Sequence, residues 1–298
     1  IDQCLVGSEM CIRDRLNRLE ISIGIIGLGS MAKAIVSPLL ERGEYHPKHV
    51  LGIVGKSSSI ASALKDLPKE LKVVSSEDSL SKEVWEAPLK ILAVKPQQFS
   101  QIKESVSSFQ SNDQFPKPLL ISVLAGIPLK SLKKAFPRHT CVRAVPNTPS
   151  LVGQGLTGLA WPDDMTLDQK QVVRNIFEPI SEIYELEEEK LDSFLALTSS
   201  GPAYIALVVE AMADGAVAAG LPRHLSNQLA HKALSGTASL LREKSLHPAE
   251  LKDMVASPAG TTISGLRHLE LAGLRSALIE AVVLAAQKSR QLAEEVSS

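Results

Sequence analysis

The 298-residue chain is poor in cysteine and in net charge, and each shortage closes off a class of protein. Three cysteines cannot build a disulfide framework. A formal net charge of −1, from 32 basic and 33 acidic residues, provides no field to draw the chain to nucleic acid or to an anionic membrane. The basic residues that do cluster, Lys133-Lys134 and Arg138-His139, are too few for a nucleic-acid footprint. No uninterrupted apolar run reaches the ~18 residues of a spanning helix, because Glu210 and Asp214 break the most hydrophobic stretch. The histidines are scattered; His224 and His231 share a helix face but stand too far apart for joint ligation, so no metal is expected. What is present, 44% hydrophobic and 22% charged residues, is the composition of a soluble, cytoplasmic protein of about two domains.

Residues Cys4 to Arg15 resemble translated sequencing-adapter DNA and lack the basic-then-apolar plan of a signal peptide. Residues 1–18 are therefore expected to be a non-native extension. Cys141 is then the single native cysteine, in keeping with a reducing compartment.

Apolar runs at Ile21–Gly27, His49–Gly55, Leu89–Val94 and Leu119–Leu124 predict buried strands, with shorter ones at Lys72–Ser75, Cys141–Ala144 and Glu182–Leu186. Helical patterns over Ser30–Arg42, Ile60–Leu67, Phe99–Phe109, Leu129–Ala135 and Leu167–Phe177 alternate with them, and a glycine-rich segment spans Gly153–Leu159. Such alternation predicts an open parallel α/β sheet. From residue 188 the texture is helical: Glu188–Leu197, Pro202–Ala219, Leu225–Lys244, Pro248–Val255, Ile263–Leu271 and Leu274–Val296. The expected division is an α/β domain over 19–187 and an all-helical domain over 188–298. The Pro202–Ala219 helix has only Tyr204, Glu210 and Asp214 as ionisable groups. A helix so apolar around its circumference needs more cover than a domain of ~110 residues offers, which predicts an intertwined dimer.

Gly27-Leu28-Gly29-Ser30-Met31-Ala32 is a G-x-G-x-x-A turn set between a strand and a helix. The first glycine permits the tight turn, the second lets backbone approach a pyrophosphate, and Ala32 lets the helix pack closely on the strand. The pyrophosphate would rest on the helix N-terminus. At the end of the second strand an NAD enzyme usually shows an acid for the ribose 2′-hydroxyl; here stands Gly55-Lys56-Ser57-Ser58-Ser59, one cation and three hydroxyls. Charge and donors suit a 2′-phosphate, so NADPH is preferred, with NADH as the alternative.

Further motifs follow at expected strand ends: Ala93-Val94-Lys95-Pro96-Gln97, Ser122-Val123-Leu124-Ala125-Gly126-Ile127 and Arg143-Ala144-Val145-Pro146-Asn147-Thr148-Pro149. The helical region adds Ser199-Ser200-Gly201-Pro202-Ala203-Tyr204 and Ser257-Pro258-Ala259-Gly260-Thr261-Thr262-Ile263. In this order the motifs resemble the pyrroline-5-carboxylate reductase family of proline biosynthesis, and the resemblance runs from Ile21 to the C-terminus. It implies a Rossmann-type dinucleotide-binding domain, an all-helical dimerisation domain and NAD(P)H-dependent reduction of 1-pyrroline-5-carboxylate to L-proline. It also admits a ring of dimers. By the same resemblance Gly27–Ala32, Lys56, Ser57, Ala93, Val94, Lys95, Pro96, Val123, Leu124 and Ala125 line the cofactor. Ser257, Ala259, Gly260, Thr261, Thr262 and Glu188 line the substrate.

The chemistry fits these residue types. An imine takes a hydride at carbon and a proton at nitrogen, and water near neutral pH already protonates much of the nitrogen, so no strong general acid is required. Thr262, the expected catalytic residue, would orient the nitrogen and relay a proton. The N–H groups where Ala259-Gly260-Thr261 enters a helix form an anion site for the substrate carboxylate. Two departures stand out, for the family commonly has Gly-Gly at Ala259-Gly260 and Gly-Ser-Gly-Pro at Ser199–Pro202. If residue 259 takes positive φ, alanine costs about 1 kcal/mol there and bears on substrate identity. A β-hydroxyacid dehydrogenase would need a lysine on the first long helix of the second domain, and Pro202–Ala219 contains none. The remaining alternatives are reduction of a six-membered imine such as piperideine-carboxylate, or a dinucleotide-binding regulatory module without turnover.

Overall fold

The structure is a computed structural model that describes residues 23–43, 45–107 and 117–297. The expected adapter-like extension, Cys4, Cys11 and the first two residues of the first expected strand lie outside the described residues. The chain divides into two compact units: the chain up to Ser199 together with the stretch from Ala286 on, and Ser200–Ala285.

In the first unit β1 (Ile23–Ile26), α1 (Ser30–Glu41), β2 (Val50–Val54), α2 (Ile60–Leu64), β3 (Lys72–Ser75), α3 (Ser81–Glu86) and β4 (Leu89–Leu92) follow in order. Then come α4 (Phe99–Ser107), β5 (Leu119–Ser122), α5 (Leu129–Ala135), β6 (Thr140–Val145), β7 (Gly155–Ala160), α6 (Leu167–Phe177), β8 (Ser181–Glu185) and α7 (Leu191–Thr198). The eight strands make one sheet in the order β3-β2-β1-β4-β5-β6-β7-β8. The strands from β1 to β6 are parallel, as the alternation predicts. Strands β1, β2, β4 and β5 are buried along their whole length, which is why they read as continuous apolar runs rather than as alternating ones. One face of the sheet packs Ile25, Ile35, Leu39, Ile91, Ile121 and Phe177, and the other Leu92, Leu120, Phe136 and Cys141.

The glycine-rich segment is itself a strand. β7 runs antiparallel to β6, with Ala144 opposite Leu159, and parallel to β8. Its glycines mark close approach: a Cβ on Gly158 would lie 2.9 Å from Leu191 Cδ2, so the bare backbone lets α7 settle on the strand. That packing keeps α7 in the first unit. The compact division therefore falls after Ser199, whereas the change of texture in the sequence comes at residue 188.

Three ionisable groups lie on the second face. Lys90 is fully buried; its ammonium donates to the Ala87 carbonyl, and burial brings its pKa down to about 7, with Glu86 opposing the shift. Both His139 ring nitrogens are buried without a partner, and burial first and the Lys90 charge second lower its pKa to about 3. Cys141 faces Lys90 across Leu120 in the strand register, and burial pushes its thiol up to about 12. This is a buried, inert cysteine.

The second unit holds α8 (Gly201–Ala218), α9 (Arg223–Glu243), α10 (Pro248–Val255), α11 (Thr261–Leu271) and the start of α12 (Leu274–Ser297), whose later residues belong to the first unit. Helices α8 and α9 pack on Val209, Ala213 and Ala230. Much of the remaining apolar surface stays uncovered, with Leu207 66%, Met212 53% and Leu271 73% exposed. The helical stretch 188–218 is long and apolar enough, by length and composition, to cross a membrane. The expectation that no run qualifies is corrected on this point, because Glu210 and Asp214 do not offset the many alanine, leucine and valine side chains around them.

Candidate active site

The parallel register sets the first half of the site. Ile26 stands opposite Ile53 on one side and Leu92 on the other, and Leu92 opposite Ser122, so the chain leaves these strands along one carboxyl edge. The edge is stitched by hydrogen bonds from Gly27 N to Ile53 O (2.9 Å), Ala93 N to Ile26 O (2.8 Å) and Val123 N to Leu92 O (3.0 Å). Between β1 and β4 the strand order reverses, the place where open α/β sheets form a ligand crevice.

The Gly27–Ala32 turn meets the demands of a dinucleotide. Gly27 has φ of +92°, and a Cβ there would stand 2.8 Å from the Ala93 carbonyl oxygen, so only glycine fits. Leu28 is buried against Gly52, where an added Cβ would meet Leu28 Cδ1 at 2.2 Å. Ala32, fully buried, brings α1 down onto the sheet. Gly29 is different: it caps α1, no side chain caps the helix, and nothing lies within 4 Å of where its Cβ would be. The first helical bond runs from Lys33 N to Gly29 O, leaving the N–H groups of Ser30, Met31 and Ala32 without intrahelical partners. An open cradle over unclaimed N–H groups fits a pyrophosphate.

Lys56 and Ser57 are exposed just past β2, where Lys56 caps the short turn Ser57–Ser59. Ala93, Val94 and Pro96 are half-buried with Lys95 exposed; Val123 and Ala125 are half-buried around a buried Leu124, whose N–H faces Ser122 Oγ at 3.4 Å. All the residues expected at the cofactor thus belong to the first unit and follow β1, β2, β4 or β5.

The expected substrate loop belongs to the second unit. Gly260 N donates to Ser257 O at 3.0 Å, closing a turn, and α11 starts at the next residue with no side-chain cap and no acid in its first turn. A Cβ on Gly260 would lie 2.2 Å from Ser257 Oγ, so a side chain there would require that hydroxyl to move. Ala259 has φ of +57°, the strained case anticipated for it, at a cost of about 1 kcal/mol relative to glycine. Thr261 is exposed and Thr262 half-buried in the first turn of α11.

Glu188 lies in the first unit, and its carboxylate is engaged: Oε1 accepts from Leu129 N at 2.6 Å and stands 3.5 Å from the Arg143 guanidinium. Arg143 is 2% exposed and is also held by Asp192 at 2.7 Å, which accepts from Ser289 Oγ at 2.8 Å. Asn147 donates to Thr198 O and accepts from Leu156 N, tying the end of β6 to α7 and β7. The sequence motif Arg143–Pro149 contains Arg143 and Asn147 but assigns them no role, and Asp192 lies outside every motif. The available signal was the spacing of Glu188 and Asp192, one helical turn apart and so able to face one cation.

The region 188–292 matches the family described as pyrroline-5-carboxylate reductase dimerisation, and residues 22–126 match the one described as NADP oxidoreductase, coenzyme F420-dependent. A pyrroline-5-carboxylate reductase from Synechocystis sp. is 41% identical over 279 residues, covering 93% of this chain and all of the relative. The chain belongs to the pyrroline-5-carboxylate reductase family. The reductase from Glycine max is 36% identical, over 91% of this chain and 96% of its own length. Among solved structures, Plasmodium falciparum pyrroline carboxylate reductase with NADP bound superposes with a TM-score of 0.79 at 25% identity, covering 92% of this chain and 98% of that one. As a member of this family the chain is an NAD(P)-dependent oxidoreductase with a Rossmann-like first domain and a helical dimerisation domain.

Proposed function

We propose that this chain reduces 1-pyrroline-5-carboxylate to L-proline, the last step of proline biosynthesis, with NADPH preferred over NADH. Membership of the family along the whole length of its relatives carries the reading. NADPH, when bound, supplies the hydride that adds to the imine carbon. In the first unit the uncapped N-terminus of α1 would hold the pyrophosphate, and Lys56 with Ser57 would take the 2′-phosphate. The loops Ala93–Pro96 and Val123–Ala125 line the cofactor from the neighbouring strands.

In the second unit the first N–H groups of α11 receive the substrate carboxylate, and Ser257, Ala259, Gly260 and Thr261 shape that cradle. The Thr262 hydroxyl orients the ring nitrogen, which ends the reaction as the amine with a proton drawn from water. Glu188 is assigned to the substrate as well; its bonds to Leu129 and Arg143 fit a residue that braces the site. The exposed apolar surface of α8 to α12 supports a homodimer, extensible to a ring of dimers, rather than a bilayer-spanning protein. The near-neutral charge and single buried cysteine among the described residues support a cytoplasmic setting.

The test is NADPH oxidation by the chain lacking residues 1–18, with the five-membered and six-membered imines in turn. Turnover of the five-membered imine, reduced on the order of 10²-fold in Thr262→Ala, is expected. Cofactor binding without turnover of either imine would sink the assignment in favour of a regulatory module.

A further inference from the structure

The loop from Val123 to Pro128 carries three of the residues expected at the cofactor, and its second half is held from far along the chain. Its first half is pinned locally: Val123 N donates to Leu92 O at 3.0 Å, and Leu124 N faces Ser122 Oγ at 3.4 Å. The loop then turns through Gly126, at φ of +73°, against the last turns of α12. A Cβ on Gly126 would stand 3.1 Å from Ser289 O and 3.3 Å from both Ala293 N and Leu292 Cβ, so the helix lies directly on the loop. Just past the loop, Leu129 N donates to Glu188 Oε1 at 2.6 Å.

One chain of polar contacts joins these two holds. Ser289 Oγ donates to Asp192 Oδ1 at 2.8 Å, and the same oxygen accepts from the Arg143 guanidinium at 2.7 Å. That guanidinium stands 3.5 Å from Glu188 Oε1. Arg143 is also the register partner of Ser122, the residue from which the loop departs. Ser289, Asp192 and Arg143 are all buried, where hydrogen bonds to charged groups are short of competing water. All these residues belong to the first unit. By helix propensity and burial alone, alanine would suit position 289 better than a serine, whose hydroxyl is costly to bury without a partner. Asp192 is that partner.

We propose that Ser289 is a positioning residue for the cofactor: its hydroxyl fixes Asp192 and its backbone seats Gly126, so that Val123–Ala125 present one fixed surface to the dinucleotide. The proposal rests on the reading that Val123–Ala125 line the cofactor. Binding groups on a loop keep their geometry when the residues behind them are locked by packing and hydrogen bonds, and Ser289 supplies both.

The experiment measures Kd for NADPH and for NADH by fluorescence titration, well below Tm, in the wild type, Ser289→Ala, Ser289→Thr and Gly126→Ala. Ser289→Ala removes the donor and leaves the Asp192–Arg143 pair. It is expected to raise both Kd values about three- to tenfold, the weight of one hydrogen bond. The factor should be the same for the two cofactors, because the 2′-phosphate is assigned to residues after β2. Ser289→Thr keeps the hydroxyl and should bind as the wild type does. Gly126→Ala pushes the loop off α12 from the other side and should weaken both cofactors. Wild-type Kd values in Ser289→Ala, whatever its Tm, overturn the proposal, as does a threonine variant as weak as the alanine one. Should Ser289→Ala fail to fold, wild-type Kd values in Gly126→Ala overturn it instead. A wild type that binds neither cofactor defeats the functional reading itself, and the proposal with it.

Discussion

Lys90→Met is expected to stabilise the first unit at neutral pH and to remove most of its stability gain between neutral and alkaline pH. Lys90 is fully buried in β4, where its ammonium donates to the Ala87 carbonyl, and Glu86 offsets only part of the cost of burial. Its pKa is about 7 in the folded chain against 10.5 in the unfolded one. Between those values the unfolded chain binds a proton that the folded chain does not, so stability rises with pH by up to about 1.4 kcal/mol per pH unit. Below about 7 both states are protonated, and the full burden of the buried ammonium is in place. Over the whole window the effect is on the order of 4 to 5 kcal/mol, a large share of the stability of a typical domain. Methionine keeps an unbranched stem of similar length without the charge, and such replacements of buried ions are often neutral or stabilising by roughly 1–4 kcal/mol. The assay is urea unfolding from pH 6 to 10, followed by the fluorescence of Trp85 and Trp161, both of which lie in the first unit. Trp85 stacks on Phe136 at 6.0 Å, and Phe136 meets the His139 ring, so this signal reports the face that contains Lys90. His139 adds a second, acidic window: its folded pKa is also depressed, so stability falls further as pH drops from 6.5 to about 3, in the variant too. A methionine variant less stable at pH 7, with the alkaline slope retained, would refute the reasoning.

Gly29→Ala should fold as the wild type does, because φ at Gly29 is −80° and its Cβ meets nothing within 4 Å. The methyl should nevertheless fill the cradle and weaken NADPH binding on the order of tenfold, read as Kd by fluorescence titration beside an unchanged Tm. Asp192→Ala should cost about 3–5 kcal/mol in urea unfolding, since it removes the closer carboxylate from the buried Arg143 and the acceptor from Ser289. Asp192→Asn keeps an acceptor and should recover part of that loss; equal losses in both variants would show that the charge is what matters.

How far the fold could be read in advance depended on where each residue's reason lay. The run Ile23–Ile26, the Gly27–Ala32 turn and Ala32 itself obey local rules, so pattern and spacing located the first strand, its glycine turn and the helix that follows. β7 obeys a distant one. Gly158 is glycine because Leu191 and Phe194, more than thirty residues on, come to rest against it, and a local reading sees only a flexible stretch. Lys90 and Arg143 are harder still: a single cation inside LKIL or TCVRAV looks like a solvent-facing position until both faces of the strand are known to be covered. Arg143 then finds Asp192, whereas Lys90 finds a carbonyl and a distant carboxylate, and that difference separates a brace from a liability. Ala259 falls between these cases. Its departure from glycine was visible in the sequence, but the departure acquires meaning only from φ, because the same alanine at negative φ would be an ordinary loop residue. At 259 a commonplace side chain is kept in an uncommon backbone state, and strain of that kind persists where surrounding structure holds it and clusters where ligands bind.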